Sequence, residues 1–307
     1  MGRAAPNEPI DAIRAADDLD SLVDRFEAES VHEAYFRAKS AWESAVRRRQ
    51  DTDAQPEGLP GSRVVVDGHA FHVHGVTHAG TDEERSFLRE HVSAFQDRGH
   101  VVYCEQGIRP MYFDDFPATC EMDDYRWAMQ RCAELDSPSH LASLPETGLD
   151  ALTENLTEVT ETFREATFSL IESGTAVYGD PFERALGDVA ADFLTSHADL
   201  AVGESYEAFA LSNEASHNPE RLGALQRYYE RNFLPQPLER EWLRRHDPEL
   251  ELVTHARNER MADYAVYHND DAETVHLVVG AAHQPGVVYY LERYRAERTL
   301  PEDFELV

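Results

Sequence analysis

Two histidines, one glutamate and an arginine–asparagine pair stand where the chain passes from one kind of texture to another. His78 and His283 each follow a glycine by three positions, Gly75 and Gly280, at the end of a short apolar run. Glu105 follows a third such run, Val101-Val102-Tyr103-Cys104, and Arg257-Asn258 opens a helical pattern. Two neutral imidazoles and a carboxylate are a usual ligand set for a catalytic divalent ion such as zinc, manganese or cobalt. Such an ion acidifies bound water to a pKa of about 7 and polarises a substrate carbonyl. The Arg257 guanidinium can hold a substrate carboxylate or a developing oxyanion. Without a metal, His78 or His283 can act as general base while Glu105 orients the water. Plainer uses compete with these. A histidine at a strand end caps backbone groups, Glu105 can pair with Arg109 or Arg257, and Arg257 can pair with Glu259.

The elements that position these residues read as an α/β fold. Val275 to Val279 is an apolar strand bounded by Asn269-Asp270-Asp271 and Gly280, with helices on both sides. Val64-Val65-Val66, Asp67-Gly68 and His69 to His74 read as a hairpin closed by a type I′ turn. Thr81 then caps a helix running to about Arg98, with Glu84 three residues on as in a capping box, and Val101 to Cys104 is the next strand. Strand, helix and strand make a parallel crossover, so His78 and Glu105 should leave the sheet at one edge, where open α/β sheets bind their ligands. Phe71 to Gly80 and Val275 to Gly286 share a faint internal repeat, each ending a strand in Gly-x-x-His. The expected fold is a mixed, largely parallel central sheet flanked by helices, with a mainly helical insertion at about 121–250 between two sheet halves.

Residues 10–49 carry Leu19, Leu22, Val23 and Phe26 at helical spacing, and 51–62 reads as a linker. The expected division is therefore a helical segment and linker at 1–60 and an α/β domain at 61–307. In the insertion, Val159, Phe163, Ala166 and Leu170 mark one helical face, and Leu186, Val189, Ala190, Phe193 and Leu194 another. The stretch 217–250, rich in Arg, Tyr and Pro, is expected to be irregular in places.

The set Gly75-x-x-His78, Val102-x-x-Glu105 with Arg109 beyond it, Arg257-Asn258-x-x-Met261-Ala262, and Val278-Val279-Gly280-Ala281-Ala282-His283-x-Pro285-Gly286 resembles the TraB/PrgY (pheromone-shutdown) family. That family is related to the Tiki proteases and, more distantly, to erythromycin esterases and haem-binding ChaN-like proteins. The resemblance covers about 63–113 and 254–294. It implies an α/β core with paired Gly-x-x-His motifs and, on the Tiki branch, divalent-metal-dependent peptide hydrolysis. On that basis His78, Glu105 and His283 are the expected metal ligands and catalytic groups, Arg257 is catalytic, and Arg109 and Asn258 contact substrate. The chain departs from the family in two places. Gly-Val-Thr-His stands where Gly-Thr-x-His is usual, and the hydrophobic carboxyl-terminal region of many members is missing. The alternative is a non-catalytic protein that sequesters a peptide, haem or another small ligand in the same pocket.

The totals narrow the partners. A net charge of -31, from 59 acidic and 28 basic residues, repels nucleic acid and anionic membranes. The acidity has no blocks, so it reads as adaptation to high salt, where screening tames the repulsion. Three cysteines without metal spacing, no apolar run of membrane length and no secretory pattern point to a cytoplasmic protein. Nothing in the chain fixes an oligomeric state. His72-Val73-His74 is like the His-x-His metal pair of amidohydrolases and metallo-β-lactamases, but Val76 stands where the second pattern needs Asp. His72 and His74 are therefore expected behind the site or on the surface. Cys104 and the tyrosines Tyr103, Tyr112, Tyr289 and Tyr290 read as packing. The chain has neither a Gly-x-Ser-x-Gly elbow nor a P-loop, so serine-esterase and nucleotide-hydrolysing chemistries lack their main residues.

Overall fold

Asp67 and Gly68 both take positive φ, 49° and 90°, as a type I′ turn requires. They join β1 (Ser62–Val66) to β2 (His69–Val76) in an antiparallel hairpin. The computed structural model describes residues 8–50, 58–113, 115–116, 118–134, 168, 171, 203, 205–269 and 272–296. Beyond the hairpin, β3 (Val101–Cys104) pairs parallel with the short β4 (Thr119–Glu121). The last strand, β5 (Thr274–Gly280), lies between β2 and β3 and is parallel to both, giving the order β1-β2-β5-β3-β4. A near-continuous apolar strand belongs in that central place, covered on both faces. The fold is thus mixed α/β, with a mostly parallel sheet flanked by helices.

The helices follow in chain order. Three precede the sheet: α1 (Glu8–Arg14), α2 (Asp20–Arg25) and α3 (Val31–Gln50). Then α4 (Asp82–Asp97) crosses from β2 to β3, and α5 (Ile108–Tyr112) and α6 (Asp124–Glu134) flank β4. The helical region between the sheet parts supplies α7 (Tyr206–His217), α8 (Leu222–Asn232), α9 (Gln236–His246), α10 (Pro248–Val253) and α11 (His255–Tyr267). Finally α12 (Gln284–Arg295) follows β5. One sheet face packs Phe71, Val73, Leu277 and Val279 against Met261 and Ala265 of α11 and Val287 and Leu291 of α12. The other packs Val76, Val102, Cys104 and Val278 against Leu88 and Val92 of α4 and Ile108 of α5. Each such aliphatic side chain, fully buried, contributes about 1.5–3 kcal/mol.

The stretch 217–250 is helical over most of its length, and its irregular places are the breaks at 218, 233–235 and 247. Its prolines do not interrupt helices. Pro219, Pro237 and Pro248 fall in first turns, where no backbone donor is needed. The hydrophobic faces expected around Val159–Leu170 and Leu186–Leu194 lie outside the described residues.

The amino-terminal helices do not stand apart from the rest. Leu19, Leu22, Ala38 and Trp42 share a buried cluster with Leu234, Leu238 and Trp242. Tyr35 stacks on Trp242, with ring centroids 4.2 Å apart and planes within 3°, and its hydroxyl donates to Glu239 Oε2 at 2.7 Å. Trp242→Ala should therefore lower stability by about 3–5 kcal/mol, with a single urea transition followed by far-UV circular dichroism. A loss below about 1 kcal/mol would mean that these helices are held only loosely.

Candidate functional site

Parallel pairing brings three chain segments to one rim. Val76 is opposite Gly280, and Cys104 is opposite Val278, so β2, β3 and β5 end together. Glu105 extends the ladder by one bond, its N–H donating to the Val278 carbonyl at 2.9 Å. Its side chain turns back over β5, where Oε2 accepts the Gly280 N–H at 2.7 Å. A Cβ on Gly280 would lie 2.5 Å from His78 Nε2 and 3.5 Å from Glu105 Oε2. Glycine is thus required for imidazole and carboxylate to meet there.

The structure brings together five of the six residues singled out from the sequence. His78 Nε2 lies 3.7 Å from Glu105 Oε2, and His283 Nε2 lies 3.5 Å from Glu105 Oε1. Arg257 Nη2 donates to Glu105 Oε1 at 2.7 Å, and its Nε donates to Asp124 Oδ2 at 2.7 Å. Asp124 Oδ1 in turn accepts the Gln106 N–H. Arg257 is thus committed to two buried carboxylates, and only Nη1, 3.4 Å from the Val253 carbonyl, remains for other contacts. Arg109, the sixth residue, takes no part in these ion pairs. It donates its Nε–H to the Thr119 carbonyl of β4 at 2.7 Å.

Asn258 serves His283 directly. Its Oδ1 is 2.7 Å from His283 Nδ1, and its Nδ2 donates to Gln236 Oε1 at 2.9 Å. That order puts the imidazole proton on Nδ1 and leaves the Nε2 lone pair facing Glu105. A Cβ on Gly286 would come within 2.1 Å of Asn258 Nδ2, so the close approach of α11 and α12 depends on that glycine.

Burial and charge decide the protonation states. Burial works to raise Glu105, but His283, hydrogen bonding to His78 and the charge of Arg257 hold it well below the usual carboxylate range. Burial pushes His283 down to about 4, and Arg257 adds to this against the pull of Glu105. At neutral pH His283 is therefore an uncharged base, and Arg257 is the cation that keeps Glu105 ionised. Burial raises Asp124, with Arg257 opposing and Glu105 adding to the rise.

Sequence reading missed the support beneath His78. Glu84, expected to complete a capping box, turns elsewhere. Its Oε1 accepts the Thr77 N–H at 2.9 Å, and its Oε2 accepts the hydroxyls of Thr77 at 2.7 Å and Tyr112 at 2.5 Å. The Tyr112 hydroxyl also accepts the Gly80 N–H at 3.0 Å. The loop carrying His78, itself at φ 63°, is gripped from both ends by this fully buried carboxylate. A glutamate seven residues beyond a strand-end threonine was the available signal.

His74 is buried and His72 half-buried, in a row with His276 and His100. His74 Nδ1–H donates to the Pro60 carbonyl at 2.9 Å, leaving His74 Nε2 to accept from His276 Nδ1 at 2.9 Å. His276 Nε2 accepts in turn from His100 Nδ1 at 3.0 Å, and Phe95 stacks on His276 at 3.7 Å. Burial pushes His74 down to about 4 and His276 down to about 2, so these two rings are neutral, and the row packs as stacked rings. Alternate residues of β2 share a face, which puts His72 alongside, its ring 4.9 Å from that of His276.

Among the described residues no group of three or more His, Cys, Asp or Glu is gathered closely enough to hold a metal ion. No helix among them is long and apolar enough to cross a membrane. No family model, no curated protein and no solved structure matches the chain. The resemblance to the TraB/PrgY family rests on its motif residues.

Removing the central cation should expose the cost of this arrangement. Arg257→Met leaves two buried carboxylates without their partner and should cost about 3–5 kcal/mol at pH 7. The sign with pH follows from Glu105. Its depressed folded value contributes stability above the ordinary carboxylate range, and this is lost as pH falls toward the folded value. The deficit of the variant should therefore narrow in urea titrations repeated toward acid pH. A deficit that stays constant would show that the ion pairs contribute nothing.

Proposed function

We propose that this chain hydrolyses an amide or ester bond, with His283 Nε2 taking the proton of the attacking water. The observation that supports this most is the division of labour on that ring. Asn258 holds Nδ1, while Nε2 points, unprotonated, at the rim where Glu105 stands 3.5 Å away. A neutral imidazole that takes a proton beside an ionised carboxylate gains stabilisation at the moment its charge forms. Glu105, Asp124 and Arg257 together carry one net negative charge, which favours that imidazolium and disfavours an anionic reacting group. His78, its side chain 46% exposed at the mouth, would when protonated give its proton to the leaving group, and exchange with solvent then takes the proton from His283 and restores the one on His78. Arg257 and Asn258 act by positioning Glu105 and His283.

A divalent ion on His78, Glu105 and His283 is the second reading, supported by the two nitrogen–oxygen separations of 3.5 and 3.7 Å. Ligand atoms about 2.0–2.2 Å from one ion lie at comparable or slightly shorter spacing. When bound, the ion would supply a Lewis acid and an acidified water. Against it, no three such side chains among the described residues are gathered closely enough to hold an ion as they stand, and both Glu105 oxygens already accept strong hydrogen bonds, one of them from a cation. In either reading the substrate is a peptide or small molecule, and the relationship to the TraB and Tiki hydrolases is part of the proposal. The free thiols of Cys104 and Cys120 support action in the reducing cytoplasm.

The test is turnover of a panel of fluorogenic esters and peptide amides by the full chain. His283→Ala should reduce kcat by about 10²–10⁴ with little change in thermal stability. The wild-type rate should rise as pH passes upward through about 4, where His283 loses its proton. Activity that survives chelation supports the metal-free reading, and activity lost to a chelator and restored by zinc, manganese or cobalt supports the second. No turnover of any substrate by the wild type, or full activity of His283→Ala, would overturn the hydrolase proposal.

A further inference from the structure

We infer that the molecule carries a second binding site, a cleft of about 530 Å³ that takes a small organic anion with an apolar body. None of His78, Glu105, Arg257, Asn258 and His283 lines it, and the inference does not depend on the hydrolase reading. The cleft lies where the amino-terminal helices, α8 and α12 meet the start of β1. Its apolar walls are Trp42 and Val46 of α3, Phe233 after α8, and Val288 and Tyr289 of α12. Its volume is that of a small-molecule site.

The charge around this cleft is the reverse of the rest of the chain. Arg14, Arg49, Arg227 and Arg293 line it, each from a different helix, in a protein with 59 acidic and 28 basic residues. Only two carboxylates share the lining, and both have partners. Glu230 Oε2 accepts from Gln50 at 3.0 Å, and Glu292 Oε1 accepts from Arg295 at 3.4 Å. Arg227 has no carboxylate partner among the described residues. Arg293 Nε is buried and meets no hydrogen-bond acceptor among them, although the Arg293 charge is felt by Glu259. Arg14 sits 5.6 Å over the Trp42 ring, so one cation is already stacked on the aromatic wall.

Guanidinium groups drawn to one concavity repel one another, and an anion bound among them relieves that repulsion. Their forked donors match a carboxylate or phosphate head, and the ring-lined wall matches an aromatic or acyl body. Elsewhere a net charge of -31 repels such a ligand, which makes the cleft selective for it.

The probe is the aromatic sulfonate 8-anilinonaphthalene-1-sulfonate, titrated by fluorescence into the full chain, beside uncharged N-phenyl-1-naphthylamine. The anionic probe should fill one saturable site at least tenfold more tightly than the neutral one. Arg227→Ala and Arg14→Ala should each weaken it at least fivefold, while Arg221→Ala, which loses only an exposed pair with Glu214, should not. Near-UV circular dichroism checks that the variants keep the native packing. Should a variant lose that signature, displacement from the wild type decides instead. Displacement by benzoate assigns a carboxylate head, and displacement by inorganic phosphate assigns a phosphate head. Failure of both to displace the probe, equal binding of the two probes, or unchanged affinity in both arginine variants would overturn the proposal.

Discussion

Glu105 is 2% exposed, at the point where three parallel strands end, and its charge survives there because Arg257 reaches it from α11. That guanidinium also holds Asp124 at the start of α6, so one cation ties the sheet to two helices. A buried ion pair of this kind is a poor source of net stability, because desolvation consumes most of the Coulombic gain. It does provide orientation. Arg257 takes one carboxylate oxygen and the Gly280 N–H the other, so Glu105 cannot rotate away from the two imidazoles. The geometry of the rim rests on this bond.

The same logic recurs one strand away. Glu84, also fully buried, has no guanidinium. It is satisfied instead by two hydroxyls and a backbone N–H, and it fixes the loop of His78. The two carboxylates divide the work between them. Glu105 faces the rim beside the imidazoles, and Glu84 sits behind it, holding one of them in a backbone conformation that a histidine seldom adopts. Asn258 does the corresponding task for His283 through a side chain rather than a loop.

Much of this could be read from local pattern. The hairpin at Asp67-Gly68, the Thr81 cap and the three strand ends each follow from a few neighbouring residues, and these set where His78, Glu105 and His283 leave the sheet. Two kinds of information lie outside local pattern. The insertion of β5 between β2 and β3 pairs residues about 200 positions apart in sequence, and no short stretch encodes that choice. The uses of Glu84, Asp124 and His276 depend equally on what lies across the fold. Glu84 had a sufficient local explanation as a capping-box residue, and that explanation concealed the actual one. The row of histidines was half visible, since His72 and His74 alternate on a strand, but its length depended on His276 arriving from β5 and His100 from the loop before β3.

Charge sorts the molecule into regions with different capacities. The rim around Glu105 holds two carboxylates to one guanidinium, so it stabilises a forming cation and resists an incoming anion. The cleft between the amino-terminal helices and α12 holds four arginines to two glutamates, both already engaged. Gln236 stands between the two regions. It lines the cleft and accepts from Asn258, which in turn holds His283. Two hydrogen bonds therefore separate the positive cleft from His283 at the rim. Long-range fields are screened within about 10 Å at 0.1 M salt and about 3 Å at 1 M. Short contacts between buried groups, such as these two hydrogen bonds, are the interactions that screening leaves largely intact.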